Sequence, residues 1–333
     1  MAKVKFGIIG CGKIADCNHV PEILSLGDKA EIVAMYDKKP GKAKELADKH
    51  NLSPKICRSM AEILATDVDA VVIATPNCFH MPQTLEALKA GKHVLVEKPM
   101  ASSVADADKM IDTAKKCGKV LHVNQSLRFA PLYVEIKKMI DNGEIGAPMH
   151  ARCLRASANS PDIAWSPGAT WFVKKRYEGS LVGDIAIHMA DVLQWYFGPV
   201  KQISAVTRCR EHEVVDNVAA VFDFANGATA SLELSWTFPI STGALELYGD
   251  KGVIRMSSDG AGIELLNTEG KVVKTVKGAD LPAIPNSHAA FVTAIEQGLD
   301  SWMVGRSALA LCMAINESNQ TGMPAKPKNR RKK

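Results

Sequence analysis

The sequence contains no C-x-x-C pair and no group of His, Cys or Asp residues with zinc-like spacing. Its eight cysteines, at 11, 17, 57, 78, 117, 153, 209 and 312, are scattered through 333 residues. That distribution fits reduced thiols in a cytosolic protein better than a disulfide framework or a metal site, and no metal is expected. No stretch approaches the ~18 uninterrupted apolar residues of a membrane helix. Met1 runs almost at once into the first strand pattern, which leaves no room for a secretory signal. These absences predict a cytoplasmic protein with no membrane partner. No internal repeat is visible.

A basic body is lacking as well. The formal net charge is +5, but six positive charges (Lys326, Lys328, Arg330, Arg331, Lys332, Lys333) follow Ala325 with no acid among them, so residues 1–325 carry a net −1. With Pro324 and Pro327, residues 324–333 read as a basic, disordered tail. No basic stripe or aromatic-studded sheet accompanies it, so no nucleic-acid partner is expected. Hydrophobic content of 47% and charged content of 23% are those of a chain with sizeable cores, and the length suggests two domains.

The first motif is a phosphate-binding turn. The apolar run Val4–Ile9 leads into Gly10-Cys11-Gly12-Lys13-Ile14-Ala15, the G-x-G-x-x-A form of the dinucleotide fingerprint. Gly10 permits the tight turn, Gly12 lets the backbone approach a pyrophosphate, and Ala15 allows close helix–strand packing. The helix opening at Lys13 and Ile14 offers its free N–H groups to the phosphates. A second strand pattern, Glu31–Tyr36, ends at Asp37, where an acid can bond the ribose hydroxyls and favours NAD. Lys38 and Lys39 follow directly and could hold a 2′-phosphate, which leaves NADP open.

Strand and helix patterns alternate onward: a helix over Lys42–His50, a short strand at Lys55–Cys57, a helix Met60–Leu64 capped by Ser59, and a buried strand Asp69–Ala74 ending at Thr75-Pro76-Asn77. A helix over Met81–Ala90 follows, then the strand His93–Val96, the helix Val104–Cys117 and a strand Val120–Asn124. This βαβ rhythm predicts a doubly wound parallel sheet. Glu97-Lys98-Pro99 places an ammonium at its carboxyl edge, where ligands of such sheets bind. Another helix runs from Pro131 to about Asn142.

Beyond Pro148 the pattern changes. Helical text over Asp184–Phe197 is followed by strands at Gln202–Arg208, Val218–Phe224, Thr229–Trp236, Ala244–Tyr248, Val253–Met256, Ile263–Leu266 and Val272–Val276. Two closing helices lie near Ser287–Gln297 and Ser307–Ser318. The expected fold class is α/β followed by α+β. A Rossmann domain over 1–125 precedes an open-faced, largely antiparallel sheet with helices on one side over 126–323, and the last helix is expected to return to the first domain.

Several motifs in order resemble the Gfo/Idh/MocA oxidoreductases: Gly7-Ile8-Ile9-Gly10-Cys11-Gly12 with Ala15, Thr75-Pro76-Asn77 with His80, and Glu97-Lys98-Pro99. Arg128-Phe129 with Pro131 and Gly179-Ser180-Leu181-Val182-Gly183-Asp184 with His188 and Asp191 extend the match over about residues 4–320. Ser180 departs from the family, where a second glycine is common. The resemblance implies an NAD(P)-dependent dehydrogenase or reductase acting on a sugar, cyclitol or related polyol. It also implies a homodimer or homotetramer formed through the C-terminal sheet.

Hydride removal from a secondary alcohol requires a base for the hydroxyl proton, and the reverse reaction requires an acid. His188 suits both. Asp184, four residues earlier on the same helix, could fix its tautomer or bond the substrate. Lys98 could bond the reacting oxygen and stabilise alkoxide character. The candidate catalytic residues are therefore Lys98, Asp184 and His188. Gly10, Gly12, Lys13, Ile14, Asp37, Lys38, Thr75, Asn77, His80, Glu97 and Lys98 are candidate cofactor contacts. Arg128 and the aromatic pair Trp165 and Trp171, which could stack on a sugar ring, join Lys98, Asp184 and His188 as substrate contacts. Two other readings stand beside the dehydrogenase: a glycoside-cleaving enzyme that cycles a tightly held NAD, and a non-catalytic cofactor sensor, which would have no need of Lys98, Asp184 and His188 together.

Overall fold

A computed structural model describes residues 3–257 and 260–330, which divide into two compact units. The first comprises residues 1–125 with 285–306, and the second 126–284 with 307–333. The chain thus leaves the first unit and returns to it, through Ser287–Gln297 rather than through the body of the last helix, which belongs to the second unit from Ser307 onward.

The first unit is built on six parallel strands: β1 (Val4–Ile9), β2 (Ala30–Tyr36), β3 (Lys55–Ile56), β4 (Ala70–Ile73), β5 (His93–Val96) and β6 (Leu121–Val123). Their order, β3-β2-β1-β4-β5-β6, reverses between β1 and β4, the switch point where nucleotides bind in such sheets. Both faces are covered, so β4 reads Ala-Val-Val-Ile and every residue of it is buried. The helices are α1 (Val20–Leu24), α2 (Lys42–Lys49), α3 (Met60–Leu64), α4 (His80–Lys89) and α5 (Val104–Cys117). The Ser59 hydroxyl accepts the Glu62 N–H at 3.1 Å and caps α3. Ser103 caps α5 through the Asp106 N–H, and Gly118 ends it at φ +60°. One core packs Phe6, Ile8, Val20, Ile23, Met35, Val72 and Leu95 against Phe291 and Val292.

The second unit opens with α6 (Pro131–Asp141) and β7 (Pro148–Ala156), and continues with α7 (Ile187–Phe197) and β8 (Val200–Arg208). Then come β9 (Asn217–Phe224), β10 (Thr229–Ser235), β11 (Thr242–Gly249), β12 (Gly252–Met256), β13 (Gly262–Asn267) and β14 (Val272–Lys277). The eight strands lie in the order β14-β13-β12-β11-β7-β10-β9-β8. Neighbours pair antiparallel except β7 with β10, which run parallel because β7 enters the middle of the sheet from α6 rather than through a hairpin. Alternation is clean on β9: Val218, Ala220, Phe222 and Phe224 are buried, and Ala219 and Val221 exposed. The buried face packs on α6, α7 and the last helix, α9 (Met303–Thr321), which follows α8 (Ser287–Gln297) in sequence.

The segment expected to be disordered from Pro324 is held by the fold at its start. Ala325 is buried and exchanges both backbone hydrogen bonds with Ile203, at 2.8 and 2.9 Å. A strand edge left unpaired at β8 supplies the partner groups. Arg331, Lys332 and Lys333 lie outside the described residues. No helix among the described residues is long and apolar enough to cross a membrane, and they contain no group of three or more His, Cys, Asp or Glu arranged to hold a metal.

Candidate active site

In the first unit the fingerprint turn is built as a cradle. Gly10 has φ +93°, and a Cβ there would lie 2.6 Å from the Ala74 carbonyl oxygen, so only glycine lets β1 end this close to the loop after β4. A Cβ on Gly12 would meet no protein atom within 4 Å: that backbone faces open space, as approach of a pyrophosphate requires. Residues 13–24 are helical, and Ala15–His19 forms a π turn before α1. Lys13 is exposed and Ile14 half-buried. The donor groups and open space of this turn fit a dinucleotide.

Asp37 holds the turn in place. Its Oδ2 accepts the Cys11 N–H at 2.8 Å and its Oδ1 the Lys39 N–H at 2.7 Å. Each oxygen keeps a further lone pair for a ribose hydroxyl. Burial, with Asp37 adding to it, pushes the Cys11 thiol up to about 12, so that thiol stays neutral. Lys38 is exposed beside it.

The two loops after β4 and β5 are tied by His80, which is 1% exposed. Its Nε2 lies 2.7 Å from the Thr75 carbonyl oxygen and its Nδ1 2.7 Å from that of Pro99. Both ring nitrogens face backbone, so His80, expected at the cofactor, staples the Thr75-Pro76-Asn77 segment to the Lys98-Pro99 segment. Burial lowers its pKa against the opposing pull of the two carbonyls, and a neutral ring donates to one of them at a time. The Thr75 hydroxyl donates to Gln83 Oε1 at 2.6 Å, and Asn77 is buried at the head of the turn before α4. The Lys98–Pro99 peptide is cis.

Glu97 is likewise committed within the protein. Its Oε1 accepts Asn124 Nδ2 at 2.7 Å and lies 3.1 Å from His19 Nε2, and its Oε2 accepts the Lys98 N–H at 3.1 Å. Burial alone would raise its pKa, but His19, Lys98 and Asn124 hold it down to about 2. The carboxylate expected at the cofactor thus anchors the lysine loop from within.

In the second unit Asp184 lies in a π turn, Val182–Ala186, and His188 in the first turn of α7; both are half-buried. The two residues expected to share a face at i, i+4 spacing are thus set on either side of a π-to-α junction, a local distortion common at functional sites. The turn starts on close backbone contact. A Cβ on Gly179 would lie 2.1 Å from the Phe172 carbonyl oxygen, and the Ser180 hydroxyl accepts the Val182 N–H at 3.1 Å. Serine in place of the family's glycine thus caps the turn.

One helical turn beyond His188, Asp191 is 1% exposed and grips Arg128 bidentately, Nε at 2.7 Å and Nη2 at 3.0 Å. Burial raises the pKa of Asp191 and the guanidinium opposes it. Arg128 also lies over the Trp195 ring at 5.0 Å. Arg128, expected at the substrate, thus also clamps the Ser126–Phe129 turn to α7. Trp171 stacks on Phe172 at 3.7 Å, while Trp165 is 43% exposed and meets the Phe172 ring edge-on.

The sequence reading missed His19 and His288, both fully buried. Their residue type was the only signal, since one histidine on a helix face is usually structural.

Residues 4–125 match the family model described as "Oxidoreductase family, NAD-binding Rossmann fold", and residues 133–255 that of the GFO/IDH/MocA C-terminal domain. The chain is similar to 1,5-anhydro-D-fructose reductase of Ensifer adhaerens, 29% identical over 96% of this chain and 98% of that protein. It is similar to D-glucoside 3-dehydrogenase of Escherichia coli, 32% identical over 71% of each. Among solved structures it resembles the WlbA dehydrogenase of Bordetella pertussis in complex with NADH and UDP-GlcNAcA. That match has a TM-score of 0.83 and 25% identity, and covers 98% of this chain and 100% of the other.

Proposed function

The chain belongs to the Gfo/Idh/MocA oxidoreductases, and from that premise we propose that it transfers a hydride between NAD and a secondary alcohol or ketone of a sugar, cyclitol or related polyol. The observation that carries the cofactor is the pairing of Gly10 and Gly12 at the switch point of a parallel sheet: one position is closed to any side chain and the other opens outward. Relatives named for reduction of an anhydrosugar and oxidation of a glucoside support the substrate class.

In this reading bound NAD supplies the hydride acceptor. Gly12, Lys13 and Ile14 present backbone N–H groups to its phosphates, and Asp37 accepts from the ribose. Thr75 and Asn77 line the adjoining strand end. His188 takes the hydroxyl proton at one ring nitrogen, and Asp184 sets its orientation. The Lys98 ammonium bonds the reacting oxygen and favours its charged form as the proton leaves. Trp165 and Trp171 offer faces to a sugar ring. We further propose a cytoplasmic homodimer or homotetramer formed through the eight-stranded sheet; Val206 and Val221, exposed on neighbouring strands, support that face.

A panel of sugars, inositols, sugar acids and nucleotide sugars, each with NAD+ and NADP+, tests the reading by absorbance of the reduced cofactor. Turnover with a polyol or sugar and NAD+ is expected. Turnover with NADP+ alone would reassign Lys38 and Lys39 as 2′-phosphate ligands. A cofactor retained through desalting with glycoside cleavage and no net NADH would establish the redox-cycling alternative.

A further inference from the structure

Three buried side chains of the first unit and the half-buried Glu22 form a line that ends at the lysine loop. Glu22 Oε2 lies 2.8 Å from His288 Nδ1, His288 Nε2 lies 3.1 Å from His19 Nδ1, and His19 Nε2 lies 3.1 Å from Glu97 Oε1. Both imidazoles are fully buried, and Glu97 is 6% exposed. The line joins three separate parts of the unit: the helix after the fingerprint turn, α8, and the segment after β5.

Counting protons shows what the line must contain. A nitrogen lone pair aimed at a carboxylate oxygen, or at another nitrogen lone pair, repels it. Each of the three contacts therefore needs one proton. Three protons on two carboxylates and two imidazoles give a net charge of −1, however they are distributed. The contact to Glu97 is an ion pair rather than a hydrogen bond, and it is attractive only with the ring protonated. The carboxylates are the better anions here. Burial works to raise the pKa of each, and the histidine contacts outweigh it, with Asn18 assisting at Glu22 and Lys98 and Asn124 at Glu97. Both carboxylates are then ionised, and the third proton is shared between the two rings. Burial of His288 opposes this and, with His19 adding to it, outweighs the pull of Glu22, so the pKa of His288 is lowered and the third proton is called for by the three contacts rather than by that ring's surroundings. The titratable groups facing the line are Lys98 and Cys17 near Glu97 and His122 near His288. His122, held by Ser301 and Ser287, has its pKa pushed down to about 3 by burial and stays neutral.

We propose that His19 and His288 are positioning residues for Lys98: with Glu22 they form a three-proton chain that keeps the Glu97 carboxylate ionised against the Lys98 backbone N–H. The inference rests on the reading of Lys98 as the group that binds the reacting oxygen. Loss of the chain protonates Glu97 at higher pH, removes the charge that strengthens its bond to the Lys98 N–H and lets the ammonium shift.

Two measurements test this. In the wild-type protein without added cofactor, 15N-histidine NMR at pH 7 should show three of the four ring nitrogens of His19 and His288 protonated. Assignment comes from the signals lost in His19→Gln and His288→Gln. Two protonated nitrogens would overturn the proposal whether or not any variant folds. In steady-state kinetics, His19→Leu should lower kcat by up to about 100-fold, the cost of displacing a reacting group by ~1 Å. Its KM values should stay near wild type and the acid limb of its pH profile should move upward. His19→Gln, whose amide can still donate to Glu97, should recover much of kcat. Wild-type kcat and pH profile in His19→Leu, with Lys98→Ala slow, would overturn the positioning role alone. Wild-type turnover in Lys98→Ala would instead remove the functional reading on which it rests.

Discussion

The two units use buried polar groups differently. In the first, four histidines (His19, His80, His122, His288), Glu97 and Arg306 are buried; in the second, the buried acidic and basic side chains among the described residues are two aspartates, Asp191 and Asp216. The sheets account for this. A parallel sheet covered on both faces puts the ends of its strands, and the irregular backbone that follows them, under helices. Carbonyls such as those of Thr75 and Pro99 then need donors from inside the protein, and His80 lies between both and donates to one at a time. An antiparallel sheet with one open face sends its hairpins to solvent, so the second unit needs few internal donors. Its two buried carboxylates fix local structure: Asp191 through Arg128, and Asp216 through the backbone N–H groups of Arg210, Glu211 and His212. The units nevertheless share one device. Each proposed functional helix begins with a π turn, Ala15–His19 or Val182–Ala186.

The largest effect expected is on chemistry in the second unit. His188→Asn should cut turnover by about 10²–10⁴-fold, the usual worth of one general acid–base group. Cofactor affinity should not change, because the fingerprint belongs to the first unit. Steady-state kinetics and calorimetric titration with NADH separate the two. Near wild-type turnover across pH would move the proton to another group.

A pair of glycine substitutions sharpens the reading of the first unit. Gly10→Ala forces a side chain onto the Ala74 carbonyl at positive φ and should destabilise the protein by about 1–3 kcal/mol or more. Gly12→Ala meets open space, so its Tm should match wild type while NADH binding weakens. Equal Tm losses in the two variants would mean that Gly12, too, is structural.

Acid should separate the units. Burial, with Lys119 adding to it, pushes the His93 pKa to about 4, and His122 is held near 3, against 6.5 for an unperturbed ring. The unfolded chain therefore binds these protons first. Their contribution to stability is complete above pH 6.5 and is lost as pH falls toward 4 and then 3. Glu97, held near 2 against 4.5 unfolded, adds a loss between those values. Asp191 has the opposite sign: its raised pKa lets the folded second unit take up a proton first. Hydrogen exchange at pH 5 and 7.5, corrected for intrinsic rates, should show greater loss of protection in β5 and β6 than in α7. Equal losses would contradict the assignment.

The smallest effect is expected at the tail. Deleting residues 326–333 removes the exposed Lys328–Glu317 pair, which is worth at most about 1 kcal/mol, and should leave Tm and turnover unchanged. Extending the deletion through Ala325 removes its bridge to Ile203 and should lower Tm measurably.

Local pattern was enough to place most elements. The runs at Val104–Cys117 and Ser287–Gln297 coincide with α5 and α8, because cap residues and apolar periodicity act within a few residues of each other. The fingerprint, the βαβ rhythm and the lysine after β5 were legible for the same reason. What each polar side chain holds was not, because its partner lies far along the chain. Arg128 meets Asp191 63 residues on, His80 bridges loops after two different strands, and His19 meets His288 across 269 residues. The parallel placement of β7 beside β10 is similarly non-local, since each edge of β7 is filled by strands formed much later. By itself the sequence determined where the chain turns and which faces must be buried, through short-range sterics and the period of its apolar residues. Only the tertiary structure decided which buried groups face one another, because desolvation leaves each donor and acceptor to be satisfied by whatever the fold brings within about 3 Å.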